Sequence, residues 1–421
     1  MFLQVRYKKY PKLIFHLKYG IIRVMKIVTF GCRMNTFESA VMARLGSDIP
    51  DNVVVVNTCA VTGEAERQCR QTIRKLKREN PNIILIVTGC AAQLHPEQYA
   101  EMPEVDRVLG NHEKLNADFL KGTEKQIVGD IEQPFDLPIV SDFEGRNRAF
   151  LQIQQGCDHK CTFCVVRFAR GHNKGMAPNH VIEQARAFVA SGFREIVLTG
   201  ADVASYPDGL VMITKRLLDE VPEIKRLRYG SLDPAALGDD FVALVKKYPA
   251  IMPHFHLSIQ AGDNLILKRM GRRHTREDVM TLAEKLRSVR PEVVLGADFI
   301  TGFPTETPAQ FEQTMDLVRT AGLTHLHVFP YSERPGTPAA KMAQVSMIER
   351  KKRAAALRAL GDEMHEALLQ KMVGQSVLVL VESDGTGWTE NYLHVILNDK
   401  YQPGEIITTA IKGVQNHELV G

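Results

Sequence analysis

Six of the seven cysteines in this 421-residue chain fall into two groups of three, so the sequence first raises the question of thiol chemistry. One group is Cys157, Cys161 and Cys164, a C-x3-C-x2-C spacing within a single short segment. Three protein ligands leave a metal centre with an open position, which is where substrates and cofactors bind in catalytic sites. The spacing therefore predicts a catalytic centre rather than a closed structural one.

Two kinds of metal centre compete as interpretations of this segment. A zinc site closes with four ligands, and His159 or His172 would supply the missing one. Iron–sulfur clusters are held by cysteine thiolates, usually four for a [4Fe–4S] cluster, so three thiolates would leave one iron open. Chemical analysis would separate the two interpretations. Iron with acid-labile sulfide would indicate a cluster, and zinc without sulfide would indicate a zinc site.

The other group of cysteines, Cys32, Cys59 and Cys90, follows three short apolar runs. Those runs are predicted to be strands, at Lys26–Phe30, Val53–Asn57 and Ile83–Thr88. Helical stretches between them predict a parallel sheet with helices on both faces, whose ligands bind beyond the carboxyl ends of the strands. A lone buried cysteine is a common core residue. Three cysteines at equivalent strand ends favour a shared site.

A second series of alternating strands and helices begins near Ala149. Strands are predicted at Phe150–Ile153, Glu195–Leu198, Leu227–Gly230, Phe255–Ile259, Val293–Ile300 and His325–Phe329. Six βα units predict a partial (β/α)6 TIM-like barrel, with its chemistry at the C-terminal strand ends. Residues at those ends are candidates for cofactor binding, although packed strand ends or turns would explain each one equally: Thr199, Gly200, Ser231, Asp233, Ser258, Gln260 and Asp298.

The last residues are β-rich and divided by glycine turns, which predicts a small C-terminal β-barrel of a kind that often binds nucleic acid. Packing without a ligand is the alternative. The α/β chain is thus divided into five parts: 1–24, a basic arm or artefactual extension; 25–121, an α/β domain; 122–147, a linker; 148–372, the barrel; and 373–421, the β domain.

A net charge of +4 permits an RNA partner without requiring one. The basic run 268–276 is predicted to contact RNA phosphates, and Trp388 and Tyr392 would either stack on bases or pack in the core. No apolar run approaches the roughly 20 residues of a membrane helix, and no secretory signal is recognisable. A cytoplasmic protein without a membrane partner is expected.

A C-x3-C-x2-C run after the first strand of a six-unit barrel resembles the radical S-adenosylmethionine (radical SAM) superfamily. With Gly31–Asn35, Asn57–Val61 and Gly89–Cys90 upstream, the chain resembles its methylthiotransferases, which end in a TRAM-type β domain. The resemblance implies that Cys157, Cys161 and Cys164 hold a [4Fe–4S] cluster whose open iron binds SAM. It also implies that Cys32, Cys59 and Cys90 hold a second [4Fe–4S] cluster for sulfur delivery. One SAM would supply the methyl group and another a 5′-deoxyadenosyl radical.

Within that family, Leu198–Asp202, Ser231–Pro234 and His327–Ala340 resemble the branch that modifies C2 of N6-threonylcarbamoyladenosine at position 37 of tRNA. The implied partners are a tRNA anticodon stem-loop, a one-electron reductant of the flavodoxin or ferredoxin type, and a sulfur donor. Thr305 stands where the family commonly has glycine. The alternatives are N6-isopentenyladenosine in tRNA, an aspartate of a ribosomal protein, or a zinc-dependent RNA-binding protein.

Overall fold

The computed structural model describes residues 25–133, 137–143, 146–398 and 400–421, so the predicted arm 1–24 lies outside the described residues. The chain forms two compact units. The N-terminal unit comprises the described parts of Met1–Glu144 with Gln155–Cys157 and Val165–Lys174. The barrel unit comprises the described parts of Gly145–Gln154, Asp158–Cys164 and Gly175–Gly421.

The N-terminal unit is built on a parallel sheet with a valine-rich second strand. Val53–Val56 are all buried, as expected for β-branched side chains covered on both sheet faces. The strands pair in chain order: β1 (Lys26–Thr29), β2 (Val53–Thr58), β3 (Ile84–Gly89), β4 (Arg107–Leu109) and β5 (Gln126–Ile127). β5 falls within the predicted linker 122–147, so part of that stretch extends the sheet.

Helices of the N-terminal unit connect these strands. They are α1 (Arg33–Leu45), α2 (Gly63–Glu79), α3 (Cys90–Leu94), α4 (Pro96–Ala100), α5 (Ala117–Lys121) and, from the later segment, α6 (Val166–Arg170). Thr62 caps α2 by accepting the N–H of Ala65, which satisfies a donor that a helix start leaves unpaired. α6 packs on α3, so the chain after the second cysteine group returns to the strand ends that carry the first group.

The barrel unit contains the predicted parallel strands. They are β6 (Arg148–Gln152), β9 (Glu195–Thr199), β10 (Arg226–Tyr229), β11 (His254–Gln260), β12 (Val294–Thr301) and β13 (Leu323–Pro330), while β7 (Gln154–Gln155) and β8 (Lys174–Gly175) pair separately. One sheet has the order β10-β9-β6 and the other β11-β12-β13. Isolated bridges from Leu227 to Ile251 and from Leu232 to Leu257 connect the two. The α/β prediction with six βα units is confirmed.

The helices of the barrel unit follow the strands in the expected alternation. They are α7 (Pro178–Ala190), α8 (Leu210–Glu220), α9 (Asp239–Lys247), α10 (Asn264–Met270), α11 (Arg276–Val289), α12 (Pro308–Thr320) and α13 (Met347–Met372). Thr275 and Thr307 each start a helix with a capping box, whose partners are Asp278 and Gln310. These reciprocal hydrogen bonds fix where α11 and α12 begin.

The chain ends in a small, largely antiparallel sheet. Its strands are β14 (Ser376–Val381), β15 (Thr386–Thr389), β16 (His394–Ile396), β17 (Ile406–Ala410), β18 (Gly413–Gln415) and β19 (Glu418–Val420), ordered β17-β14-β15-β16-β19-β18. Val379, Leu393 and Leu419 form its core with Leu369 of α13. This β domain belongs to the same compact unit as the barrel.

The β domain is bound to the N-terminal ends of the barrel strands, which we call the barrel floor. Arg226 donates to the carbonyls of Trp388 and Leu378, at 2.9 Å each. The Trp388 ring stacks on Tyr392 at 4.5 Å between centroids, and Tyr392 stacks on His254 at 4.7 Å. The two aromatic rings therefore have packing partners within the protein, as the packing alternative predicts.

In the described chain, no helix combines the length and apolar character needed to cross a bilayer.

Candidate functional site

Three cysteines, here called the first triad, come together at the carboxyl edge of the N-terminal sheet. Cys32 follows β1 and precedes α1, Cys59 follows β2, and Cys90 opens α3 directly after β3. Burial raises the pKa of the Cys59 thiol, and the nearby Cys90 and Cys32 raise it further. The thiols are thus close enough to interact electrostatically. Cys69 lies in α2, where burial raises the pKa of its thiol to about 11 and hydrogen bonding to the backbone of Cys59 opposes that rise.

Two glycines let the backbone pass close to the first triad. Gly31 has a φ of +89°, and a Cβ there would lie 2.7 Å from Cys59 Sγ. Gly89 has a φ of +95°, and a Cβ there would lie 2.4 Å from the backbone of Thr58. A side chain at either position would displace a strand end that carries a thiol, and glycine alone adopts these conformations at little cost.

A buried group of charges lies beside the first triad. Glu38 on α1 is fully buried and pairs with Lys114 Nζ at 2.6 Å. Arg170 on α6 donates from Nη2 to Glu38 at 2.9 Å and from Nε to Cys90 Sγ at 3.2 Å. Burial alone would raise the pKa of Glu38, but the charges of Arg170 and Lys114 outweigh burial and hold that pKa below its ordinary value. Glu38 is therefore ionised in the folded protein.

Cys157 opens the second group of cysteines, here called the second triad, and lies in the N-terminal unit. Its N–H donates to the carbonyl of Gly171 at 3.1 Å. Gly156 has a φ of +72°, and a Cβ there would lie 1.8 Å from the carbonyl oxygen of His172. The backbone around Cys157 is thus held against the segment that follows α6.

Cys161 and Cys164 lie in the barrel unit. The N–H of Cys164 donates to the carbonyl of Cys161 at 3.1 Å, which makes a tight turn. Thr162 anchors this turn to the end of α10, because its N–H donates to the Met270 carbonyl at 2.9 Å and its hydroxyl to the Arg269 carbonyl at 2.8 Å. The turn that carries both cysteines is therefore fixed by contacts with the backbone.

Arg272 connects the second triad to the end of β10. Its Nη1 donates to Cys161 Sγ at 3.5 Å, and its Nη2 lies 3.1 Å from Asp233 Oδ1. Arg273 pairs with the other oxygen of Asp233, also at 3.1 Å. Burial alone would raise the pKa of Asp233, but hydrogen bonding to His274 and the Arg272 charge hold that pKa well below its ordinary value. Asp233, predicted to bind cofactor, is an anion that orients the guanidinium beside Cys161.

His159, one of the possible zinc ligands, has other partners at the strand ends. Its Nε2 lies 2.6 Å from Asp202 Oδ2 and 3.0 Å from Arg273 Nη2. The N–H of Asp202 donates in turn to Gln154 Oε1 at 2.8 Å. His159 Nε2, which the sequence suggested as a possible zinc ligand, is thus part of a polar network at the carboxyl ends of the barrel strands, here called the barrel mouth.

Two pairs of predicted cofactor-binding residues lie at the ends of β9 and β11. Thr199 ends β9, and a Cβ at Gly200 would lie 2.6 Å from Gln154 Oε1. Ser258 accepts Arg272 Nη2 at its carbonyl, at 2.6 Å. Gln260 has a φ of +77° beside a register shift in β11. Non-glycine residues rarely adopt this conformation, and such strain is concentrated at functional sites.

The remaining predicted residues differ in exposure. Ser231 is exposed just after β10. Asp298 lies within β12, where its Oδ1 accepts hydrogen bonds from His256 at 3.0 Å and His327 at 3.1 Å. Burial alone would raise the pKa of Asp298, but the two histidines lower it well below its ordinary value. The structure therefore places Asp298 between two histidine side chains inside the barrel.

The basic run 268–276 is largely committed to internal pairs. Arg269 donates to Thr305 at 2.7 Å, Arg272 pairs with Asp233 at 3.1 Å, and Arg276 pairs with Asp316 at 2.6 Å. Lys268 and Arg273 are exposed. Contact between this run and RNA phosphates stays a prediction, and it now concerns mainly those two exposed side chains.

Sequence reasoning missed the charged partners of the thiols. Arg170 comes six residues after Cys164, within the same loop-and-helix segment, and this proximity was a usable signal. Glu38 and Lys114 are 76 positions apart and carried no comparable signal, since charged residues on helices usually face solvent. His256 lies in β11 and His327 in β13. Because side chains alternate between the two faces of a strand, the strand period would have identified which face each histidine occupies.

Both groups of cysteines offer thiols, the donor type that holds iron–sulfur clusters. Three thiols interact at the first triad, and burial disfavours their charged form unless a cation compensates it. In each triad one sulfur accepts an N–H from a guanidinium, Cys90 from Arg170 and Cys161 from Arg272. Hydrogen bonds to sulfur are a usual means by which proteins tune such clusters.

Comparison with known proteins agrees with this chemistry. A model of the radical SAM superfamily matches residues 151–318, and a model described as an uncharacterised protein family, UPF0004, matches residues 24–110. Threonylcarbamoyladenosine tRNA methylthiotransferase MtaB of Rickettsia prowazekii is 45% identical over 400 residues, which cover 93% of this chain and 95% of that protein. The tRNA-2-methylthio-N(6)-dimethylallyladenosine synthase of Roseobacter denitrificans is 32% identical over 432 residues, which cover 93% and 97%.

Among solved structures, the chain is similar to the radical S-adenosylmethionine methyltransferase TsrM of Kitasatospora setae with cobalamin and a [4Fe-4S] cluster bound. The TM-score is 0.55 at 15% identity, and the match covers 73% of this chain and 69% of that one. At this level of identity the likeness concerns the fold alone.

Proposed function

The chain belongs to the radical SAM tRNA methylthiotransferases, and on that premise we propose that it adds a methylthio group to C2 of N6-threonylcarbamoyladenosine beside the tRNA anticodon. The observation that carries the proposal is two cysteine triads in a chain that aligns over 93% of its length with a threonylcarbamoyladenosine tRNA methylthiotransferase. Dimethylallyladenosine synthases are 32% to 35% identical, below the 45% of the Rickettsia enzyme, which favours the threonylcarbamoyl substrate.

Each triad is assigned one [4Fe–4S] cluster. Cys157, Cys161 and Cys164 would hold the cluster that binds SAM, and the first triad would hold the cluster that delivers sulfur. When bound, these groups supply the electron that cleaves SAM and the sulfur that reaches the substrate. Three thiolates for four irons leave one iron of each cluster open, and both functions need an exchangeable position.

The residues of the barrel mouth position SAM and the nucleoside. Asp233 holds Arg272 beside Cys161, which fixes the orientation of that ligand. Gln260 and Ser258 end β11 next to this network, and their polar groups suit the amino and carboxylate ends of SAM. Asp298, held by two histidines, keeps an anionic oxygen inside the barrel. These roles follow from location at the carboxyl ends and interior of the strands.

The proposed partners follow from the reaction. A tRNA anticodon stem-loop is the substrate, a flavodoxin or ferredoxin type of protein is the proposed one-electron reductant, and a separate donor replenishes the sulfur. We place the reaction in the cytoplasm, where tRNA and reduced thiols occur together.

The test begins with anaerobically purified and reconstituted full-length protein. Two clusters correspond to about eight irons and about eight sulfides per chain. The protein is then incubated with SAM, a chemical reductant, sulfide and tRNA that carries either threonylcarbamoyladenosine or isopentenyladenosine. Mass spectrometry of digested nucleosides is expected to show the methylthio product from the first tRNA and little from the second.

The outcomes separate the alternatives stated from sequence. Product from the isopentenyl tRNA alone would replace the proposed substrate. About four irons per chain would remove the two-cluster assignment, and zinc without sulfide would remove the iron–sulfur chemistry altogether. Cleavage of SAM without either methylthio nucleoside would leave a radical SAM enzyme of another specificity.

A further inference from the structure

We propose that Glu38, Lys114 and Arg170 form a buried charge platform that compensates the charge of the cluster held by Cys32, Cys59 and Cys90 and sets its reduction potential. The inference rests on the cluster assignment in the proposed function. It deepens that assignment by giving a role to three charged residues that bind no metal themselves. They are positioning residues, since they act on the cluster through a ligand and through space.

Arg170 is the member of the charge platform that reaches a cluster ligand. Its Nε donates to Cys90 Sγ at 3.2 Å, and its Nη2 donates to Asn35 Oδ1 at 2.5 Å. The other contacts are with Glu38, which accepts from both Nη1 and Nη2. Arg170 is 2% exposed, so this cation is removed from water and has only protein partners to stabilise it.

Lys114 is held as an ammonium ion. Its Nζ lies within hydrogen-bond distance of three oxygens, at 2.6 Å from Glu38, 2.8 Å from Asn111 and 3.3 Å from Asn57. An ammonium has three N–H donors, whereas a neutral amine has two. Burial lowers the pKa of Lys114, and the Glu38 charge opposes this. Three oxygen acceptors around the fully buried nitrogen favour the charged form.

The surrounding amides can turn only their oxygens toward the cations. The Nδ2 group of Asn35 donates to the carbonyls of Phe30 and Thr58, and that of Asn111 donates to the carbonyl of Ala169. The Nδ2 group of Asn57 is likewise occupied, by a backbone carbonyl and a hydroxyl. Each amide orientation is thus fixed by its nitrogen, and the charge platform is enclosed by acceptors.

The charges do not balance within the platform. Two cations and one carboxylate leave one net positive charge among side chains that are at most 2% exposed. An uncompensated buried charge is costly, by several kcal/mol or more. A [4Fe–4S] core of formal charge two plus, held by three thiolates, carries one net negative charge. The charge platform and the loaded cluster therefore neutralise each other.

This charge balance determines the sign of the effect on the cluster. A nearby positive charge and an N–H on a ligand sulfur both favour the reduced, more negative cluster. Removing Lys114 or Arg170 is expected to lower the reduction potential, and neutralising Glu38 is expected to raise it. A purely structural role would not give opposite signs for two partners of one ion pair.

The experiment isolates one cluster in the full-length chain. Cys157, Cys161 and Cys164 are all replaced by alanine, so that reconstituted iron belongs to the first triad, and the reduction potential is measured by EPR-monitored titration. Lys114→Met, Arg170→Met and Glu38→Gln are compared in this background. Lys121→Met is the matched control, because Lys121 pairs with Asp48 at the surface of the same unit.

At one fixed ambient potential, the ratio of reduced to oxidised cluster is expected to fall about tenfold in Arg170→Met, which corresponds to a midpoint about 59 mV lower for a one-electron couple. Lys114→Met should shift the ratio the same way by less, Glu38→Gln should raise it, and Lys121→Met should leave it unchanged. The hydrogen bonds of Lys114 within the described chain are to oxygens of Glu38, Asn111 and Asn57, so its variant keeps the test valid if Arg170→Met fails to bind iron.

Different results would overturn different claims. If the triple-alanine background binds no iron and sulfide, the ligand assignment in the proposed function fails. If it binds about four irons and the ratio is the same in the Lys114, Arg170 and Glu38 variants, the proposed role of the charge platform fails. Shifts of the same sign in all three variants would also overturn it.

Discussion

Each cysteine triad has one sulfur that accepts a hydrogen bond from an arginine, but the surroundings of this contact differ between the two triads. In both, a guanidinium donates to a cysteine sulfur, at 3.2 Å from Arg170 to Cys90 and at 3.5 Å from Arg272 to Cys161. Both guanidiniums are buried, with the Arg272 side chain 7% exposed. Arg170 lies in a charge platform whose other members are also buried, whereas Arg272 shares its carboxylate with Arg273, whose side chain is 49% exposed.

The difference separates a permanent environment from an adjustable one. Charges buried from water keep their full effect on a neighbouring cluster because little solvent screens them. Charges at a solvent-facing mouth are partly screened and can rearrange when a ligand enters. The charges beside the first triad therefore hold one electrostatic state, whereas those beside the second can rearrange.

Removing one thiol from each triad in turn is expected to have the largest effect on activity. Cys161→Ala is expected to reduce SAM cleavage to background, because the cluster that binds SAM loses a ligand. Cys59→Ala is expected to retain SAM cleavage and lose the methylthio product. Chromatography of 5′-deoxyadenosine and mass spectrometry of tRNA nucleosides measure the two outcomes. SAM cleavage by Cys161→Ala, or normal product from Cys59→Ala, would contradict the division of labour.

Asp233→Asn is the next largest perturbation, and it acts on the second triad alone. It removes a buried carboxylate from two arginines, and breaking such a buried pair costs about 3–5 kcal/mol. The free energy of unfolding of the barrel unit, from anaerobic urea titration, is expected to fall by this amount. Asp239→Asn is the control, since its pair with Lys285 is exposed and is worth at most about 1 kcal/mol. Equal losses in the two variants would refute the assignment.

A pH titration of stability tests the barrel floor, which is distinct from both triads. Burial lowers the pKa of His325 well below its ordinary value, and nearby His365 lowers it further. The folded protein therefore binds this proton less readily than the unfolded chain does. Stability is expected to be complete above the unfolded pKa of about 6.5 and to fall as pH drops toward the folded pKa, by up to about 1.4 kcal/mol per pH unit.

His325→Gln is expected to flatten that decline, while keeping a donor for the Tyr392 carbonyl. Thermal unfolding between pH 7.5 and 5.5, at intervals of about half a unit, measures the slope. A His325→Gln slope equal to that of the unsubstituted protein would show that acid sensitivity originates elsewhere.

The smallest expected effect concerns the loop that follows β12. Thr305 has a φ of +70°, where a β-branched residue is strained by about 1–3 kcal/mol. Its hydroxyl accepts Arg269 Nη1 at 2.7 Å, which offsets part of the strain. Thr305→Gly is expected to stabilise the protein by up to about 1 kcal/mol. Thr305→Ala, which loses the hydroxyl and keeps the strain, should destabilise it, and the reverse order would contradict this account.

Much of the architecture could be predicted because it depends on local patterns. Alternating apolar runs located the strands, and parallel strands necessarily carried Cys32, Cys59 and Cys90 to one edge of the sheet. The same pattern placed Asp233 and Gln260 at the barrel mouth.

The charged partners could not be predicted in the same way. The pairing of Glu38 with Lys114 depends on tertiary packing between distant helical segments. In the basic run, Arg272 and Arg276 form ion pairs with Asp233 and Asp316, which the sequence alone did not indicate. Charge composition alone does not distinguish a solvated face from a buried network.

The position of Arg170 in the chain has a consequence for biogenesis. Residues up to 144 contain the whole N-terminal sheet, Glu38 and Lys114, yet Arg170 of the same unit is synthesised only after the second triad. A nascent chain that has emerged only to residue 144 therefore has a complete sheet and an incomplete charge platform. The electrostatic environment of the first triad is therefore completed only after the second triad has been synthesised.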